Sequence, residues 1–182
     1  MTHYPVHTID SAPEKSKPAL QSLQSAFGFI PNIAGAMSNS PALIDSLVGL
    51  FRQVHGGSFT EPQIQVLLLT NAVTNASSWA VAFHSFLALQ QGIDAGDVER
   101  IRKGGVPQDA ELAALSTLAK TLIEKRGRLA ESDLEAFAEA GFTRDLALEV
   151  IAVVAASTIT NYTGSVTQPP VEEPFRLHLW GG

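Results

Sequence analysis

The sequence predicts an all-α fold, and three observations carry that reading. Apolar residues recur every three or four positions through most of the 182 residues, and no segment shows the two-residue alternation of a half-buried strand. Helix-start signals (Ser40-Pro41, Thr60 with Gln63) and helix-stop signals (Gly56-Gly57, Gly92, Gly104-Gly105, Gly141) bracket those periodic segments. Apolar residues make up 45% and charged ones 16%, which describes a globular chain able to bury a proper core as one domain or two closely packed halves.

Pro5, Pro13 and Pro18 make residues 1–18 an extended arm, followed by a short helix from Pro18 to Phe27. Phe27 to Asn32 reads as a turn with its own apolar anchors. Ser40 then caps a helix with Pro41 at its first position, and Leu43, Leu47, Leu50 and Val54 follow at helical spacing until Gly56-Gly57. Thr60 and Gln63 form a capping box for the next helix, where Ile64, Val66, Leu67, Leu68, Leu69, Ala72 and Val73 leave no polar face. Such a helix is buried on most sides. Further helices are expected over Ser77–Gln91, Asp97–Lys103 and Asp109–Lys125. Ser132 with Glu135 reads as a second capping box, and Thr143 as the cap of a long apolar helix ending near Thr160. The tail, 169–182, is interrupted by proline but carries Phe175, Leu177, Leu179 and Trp180, so it is expected to dock on its own domain or a neighbour. Gly57-Ser58-Phe59-Thr60 is echoed by Gly141-Phe142-Thr143, which fits either two helical half-repeats or two independent helix starts.

A net charge of −6 excludes the electrostatics of nucleic-acid binding and of attraction to anionic membrane, and Lys125-Arg126-Gly127-Arg128 is too short to restore them. The start Met1-Thr2-His3-Tyr4-Pro5 has neither the positive nor the apolar region of a secretory signal, and Leu146 to Ile159 is too short for a membrane span, so a cytoplasmic setting is expected. No metal or other cofactor is expected: His3 and His7 are separated by Pro5, which prevents the helix that would align them, while His55 and His178 stand alone. Glu61 and Glu149 read as first-turn or solvated charges.

The segment from Phe59-Thr60-Glu61 to Ser77-Ser78-Trp79-Ala80-Val81-Ala82-Phe83-His84 resembles the signature of the AhpD-like alkylhydroperoxidase family, within the carboxymuconolactone decarboxylase superfamily. That signature is a glutamate, eleven residues, Cys-x-x-Cys, three residues and a histidine. Gln65 stands at the glutamate position, Ser77 and Ala80 at the cysteine positions, and His84 at the histidine. The lead-in Phe27–Asn32 with Ser40-Pro41-Ala42-Leu43, and Asn161-Tyr162 after the last long helix, are similar to the peroxidase-related branch of the family. The resemblance thus spans residues 19–168 and implies a helical bundle assembled as a dimer, trimer or hexamer.

In the family the glutamate and histidine activate a thiolate that attacks a peroxide, and the second cysteine resolves the product as a disulfide. Here there is no cysteine in the chain, so that chemistry is removed. Ser77 is read as the cap of its helix or as a nucleophile, although His84 lies two turns, roughly 10 Å, further along the axis. His84 is read as a packed imidazole satisfied by Gln65 or as a proton carrier at the mouth of a pocket, and Trp79 and Phe83 as pocket lining or core. Three functions follow as expectations. One is a redox-inactive protein binding a small molecule or a partner through the old pocket. Another is a cysteine-independent enzyme similar to carboxymuconolactone decarboxylase that uses His84. The last is a structural subunit of a homo-oligomer.

Overall fold

One helix faces protein on all sides and the others are arranged around it. The computed structural model describes residues 4–181, which fold into α1 (Lys17–Phe27), α2 (Asn32–Met37), α3 (Pro41–His55), α4 (Glu61–Thr74), α5 (Ser78–Gln90), α6 (Ala95–Arg102), α7 (Ala110–Glu124), α8 (Glu131–Glu139) and α9 (Leu146–Thr167), with no strand among the described residues. The all-α fold is as the sequence predicts. Every residue of α4 from Ile64 to Ala72 is buried. Val66, Leu69 and Ala72 enter a core shared with α1, α2, α3, α5 and α6, whereas Ile64, Leu67 and Leu68 enter a second core built with α7, α8 and α9. The helix starts where the sequence places it, with Gln63 accepting the Thr60 N–H at 2.9 Å.

Several expected boundaries are moved by competing interactions. Ser132 and Glu135 do not form a capping box. The helix begins at Glu131 after Ala130, and Asp133 closes the return half by accepting the Ala130 N–H at 2.7 Å while pairing with Lys125. Thr143 is not the cap of α9, because residues 143–145 form a turn and the helix starts at Leu146. α9 also runs past Thr160 to Thr167, so Asn161-Tyr162 lies within it and not after it. Its 22 residues are long and apolar enough to cross a membrane by length and composition, contrary to the shorter span read from the sequence, yet here α9 packs against α3, α4 and α7. The echoed segments meet, Phe59 lying 6.2 Å from Phe142, but Thr60 is an N-cap and Thr143 is not.

Among the described residues, both the N-terminal arm and the C-terminal tail are tied to the bundle. The His7 N–H donates to the Gly35 carbonyl at 3.2 Å, and Asn39 Nδ2 donates to the Pro5 carbonyl at 2.9 Å. His3, weighed as a metal ligand, lies outside the described residues. After α9, Glu172 accepts from the Asn32 N–H at 2.6 Å and from Trp79 Nε1 at 3.0 Å. A short 3-10 helix, Glu173–His178, buries Phe175 against Phe83 and Phe86 at 5.1 and 5.2 Å, and Trp180 Nε1 donates to the Arg102 carbonyl at 3.0 Å.

The arm can lie against α2 because residue 35 has no side chain. A Cβ there would stand 2.7 Å from the His7 carbonyl oxygen and 2.8 Å from Val6 Cγ1. Gly35→Ala is therefore expected to lift the arm and to destabilise the protein by about 1–3 kcal/mol, as overpacking does. Urea unfolding gives the energy, and faster proteolysis near residues 4–10 locates the damage.

Candidate functional site

α4 and α5 bring the motif positions together through a tight turn. Asn75 ends α4, Ala76 adopts a left-handed backbone with φ of 52°, and Ser77 leads directly into α5. α5 then returns along α4, and Gln65 Oε1 lies 3.1 Å from His84 Nδ1. With the amide oxygen facing it, Nδ1 carries the ring proton and donates, leaving the lone pair of Nε2 free. His84 is 2% exposed. Burial, and secondarily the charge of His55, hold its pKa down to about 3. The imidazole is neutral at neutral pH and a weak base.

Ser77 occupies the N-cap position of α5, but its hydroxyl does not cap the helix. Its Oγ is buried without a hydrogen-bond partner. It sits instead against Gly164 of α9, where a Cβ would lie 3.3 Å from Ser77 Oγ and 3.3 Å from Ile33 Cδ1. The cap reading is thus corrected: tertiary packing with α9 has turned the hydroxyl away from the amides. With no base bonded to it, Ser77 also lacks what a nucleophilic serine needs. Ala80, one turn on, is fully buried.

Trp79 and Phe83 are stacked at 4.9 Å with 30° between planes, and Phe83 meets the His84 ring edge-on at 5.1 Å. The two aromatics and His84 line a cavity of about 40 Å³ together with Phe27, Phe51 and Thr160 among others. Its size suits roughly two to four water-sized groups. Thr160 is 6% exposed, and its Oγ1 has no partner either. Leaving such a hydroxyl unpaired costs about 1–3 kcal/mol.

Gln65, Trp79, Phe83 and His84 are therefore clustered, while Ser77 and Ala80 sit in the first turn of the same helix. Thr160, Phe27 and Phe51 were not marked by any local pattern. Thr160 sits inside an apolar helical run, and its place beside His84 depends on how α9 crosses α5. His55, which looks isolated in the sequence, bonds Glu61 at 2.8 Å. Among the described residues no group of three or more His, Cys, Asp or Glu is placed to hold a metal ion.

The lowered pKa of His84 has a thermodynamic consequence. The unfolded chain protonates this imidazole near 6.5 and the folded one only near 3, so its contribution is intact above 6.5 and is lost as the pH falls through that window. At pH 4.5 the loss is about 3 kcal/mol. His84→Gln is expected to flatten the fall in stability between pH 7 and pH 4.5 by about that amount, measured by urea unfolding at both values.

No family model matches the chain, and no curated protein matches it. Solved structures do. A peroxidase-related protein from Ralstonia eutropha JMP134, described as an alkylhydroperoxidase AhpD core, superposes with a TM-score of 0.84 at 17% identity, covering 96% of this chain and 94% of its own. The debrominase Bmp8 superposes at 0.77 with 18% identity, covering 98% and 96%. A peroxidase-related protein from Silicibacter sp. TM1040 does so at 0.77 with 17% identity, covering 94% and 91%. A variant of the debrominase has also been solved with 2,3,4-tribromopyrrole. Identities this low speak for architecture alone, and on that ground the chain has the AhpD-like helical fold.

Proposed function

We propose that this chain is a redox-inactive AhpD-like protein that binds a small, largely hydrocarbon molecule whose hydroxyl end enters the His84 chamber. The observation that carries the reading is the unpartnered buried hydroxyl of Thr160, a residue that lines the same apolar cavity as His84, Trp79 and Phe83. A ligand oxygen there would accept from Thr160 and donate to His84 Nε2, while Trp79 and Phe83 hold hydrocarbon. Thiol redox chemistry has no atoms to run on, since the chain lacks cysteine. A lyase using His84, similar to carboxymuconolactone decarboxylase, is disfavoured by a pKa of about 3 and by Gln65, which cannot ionise. The debrominase complex with 2,3,4-tribromopyrrole is a precedent for a small apolar ligand in this fold.

Thr160→Val tests this with two readouts of opposite sign. Removing an unpaired buried hydroxyl is expected to stabilise the empty protein by about 1 kcal/mol. The same change should weaken 1-octanol binding about fivefold by calorimetry, because the ligand hydroxyl loses a partner. Unchanged affinity would remove Thr160 from the site. No binding of 1-octanol to the unmodified protein would overturn the reading altogether.

A second reading, a subunit of a homo-oligomer, is favoured by the outer face of α9. Leu148, Ile151, Ala155, Tyr162 and Val166 recur at three-, four- and seven-residue spacing and face solvent, Leu148 and Val166 at 68% and 66% exposure. The stripe runs roughly 27 Å at about 1.5 Å per residue, and two copies could pair it antiparallel. Leu148→Glu with Val166→Glu should then lower the sedimenting mass to that of one chain. An identical mass in both samples would exclude this face.

A further inference from the structure

A chamber of about 40 Å³ admits the tip of a molecule and no more. A wider cleft of about 370 Å³ adjoins it between α1, α3 and the start of α4, and Leu23, Phe27 and Phe51 line both. Those three half-buried side chains form the partition. On the inner side Phe27 meets Phe83 at 5.8 Å, and on the outer side Phe51 stacks on His55 at 5.6 Å.

The cleft differs from the chamber in its chemistry. Arg52, His55 and Glu61 stand on its wall, together with the apolar Val48 and Ala26. Glu61 is engaged by His55 at 2.8 Å. Among the described residues no carboxylate pairs with Arg52, so a guanidinium with free donors overlooks an apolar trough. A planar guanidinium is suited to gripping a carboxylate with two parallel hydrogen bonds.

We propose that cleft and chamber are one elongated site for an amphipathic ω-hydroxy monocarboxylate. Its carboxylate sits on Arg52, its hydrocarbon passes between Phe27 and Phe51, and its hydroxyl ends at Thr160 and His84. The inference rests on the chamber being a ligand site and adds the far end of the ligand. Size supports it, because the inner chamber has no room for a whole molecule and shares Leu23, Phe27 and Phe51 with a cleft that has. Polarity supports it as well: Arg52 stands in the outer cleft, and Thr160, whose hydroxyl has no partner, is among the residues of the apolar inner chamber. Entry requires Phe27 and Phe51 to change rotamer, which half-buried aromatics at a surface can do.

Calorimetry with ω-hydroxy acids of about six to twelve carbons, each beside the 1-alkanol of equal length, tests the two ends separately. The best-fitting acid is expected to bind at least about fivefold more tightly than its alkanol, the scale of one charge-assisted contact near a surface. Arg52→Gln should erase that advantage and leave the alkanol unchanged, whereas Thr160→Val should weaken both. Acids that never exceed their alkanols, or an Arg52→Gln effect equal for both ligands, would overturn the carboxylate end and leave the chamber reading intact. Alkanols that fail to bind at any length would overturn the chamber reading itself.

Discussion

A helix enclosed by protein on all sides must satisfy every neighbour at once, and in this molecule α4 carries that constraint. Its Val66, Leu69 and Ala72 belong to one core and its Ile64, Leu67 and Leu68 to the other. Interiors pack at the density of organic crystals, so a shift of this helix would open cavities in one core and clashes in the other. Gln65 rides on the same helix, and its amide therefore meets His84 as a consequence of packing on both sides.

The site that results differs in kind from one built around a thiolate. A glutamate would place a titrating carboxylate beside the imidazole; Gln65 supplies only an oxygen that fixes which ring nitrogen holds the proton. Burial then keeps the ring neutral. Trp79 and Phe83 line the chamber beside this imidazole, together with Thr160, whose hydroxyl is unpaired. Leu23, Phe27 and Phe51 line both this chamber and an outer cleft on whose wall Arg52 stands.

Elements whose signals are local were legible in the sequence. The capping of α3 by Ser40, the start of α4 at Thr60 and the end of α1 at Phe27 depend on a few adjacent residues and came out where expected. Errors arose where a local signal met a stronger tertiary one. Ser132 with Glu135 lost to Asp133, which gains Lys125 as well as the Ala130 amide. Ser77 had the right position for a cap, yet its hydroxyl lies against Gly164, from the far end of the chain. α9 outran its expected end because Thr160, Asn161, Thr163 and Gly164 are poor helix formers alone but are buried against other helices here.

By itself the sequence determined that the chain is helical, that α4 is central, that thiol chemistry is absent and that Gln65 and His84 share a motif. The first three follow from periodicity, from adjacent caps or from the absence of cysteine, and the last is what the resemblance to the AhpD-like family implies. Only the tertiary structure decided that Thr160 completes the His84 chamber, that Ser77 is left unpaired, and that Arg52, His55 and Glu61 gather at an outer cleft. Those residues are separated by as many as 108 positions (Thr160 from Arg52) and share no local pattern. Their proximity is set by the crossing of α3, α5 and α9, a geometry that side-chain packing selects and that spacing along the chain does not encode.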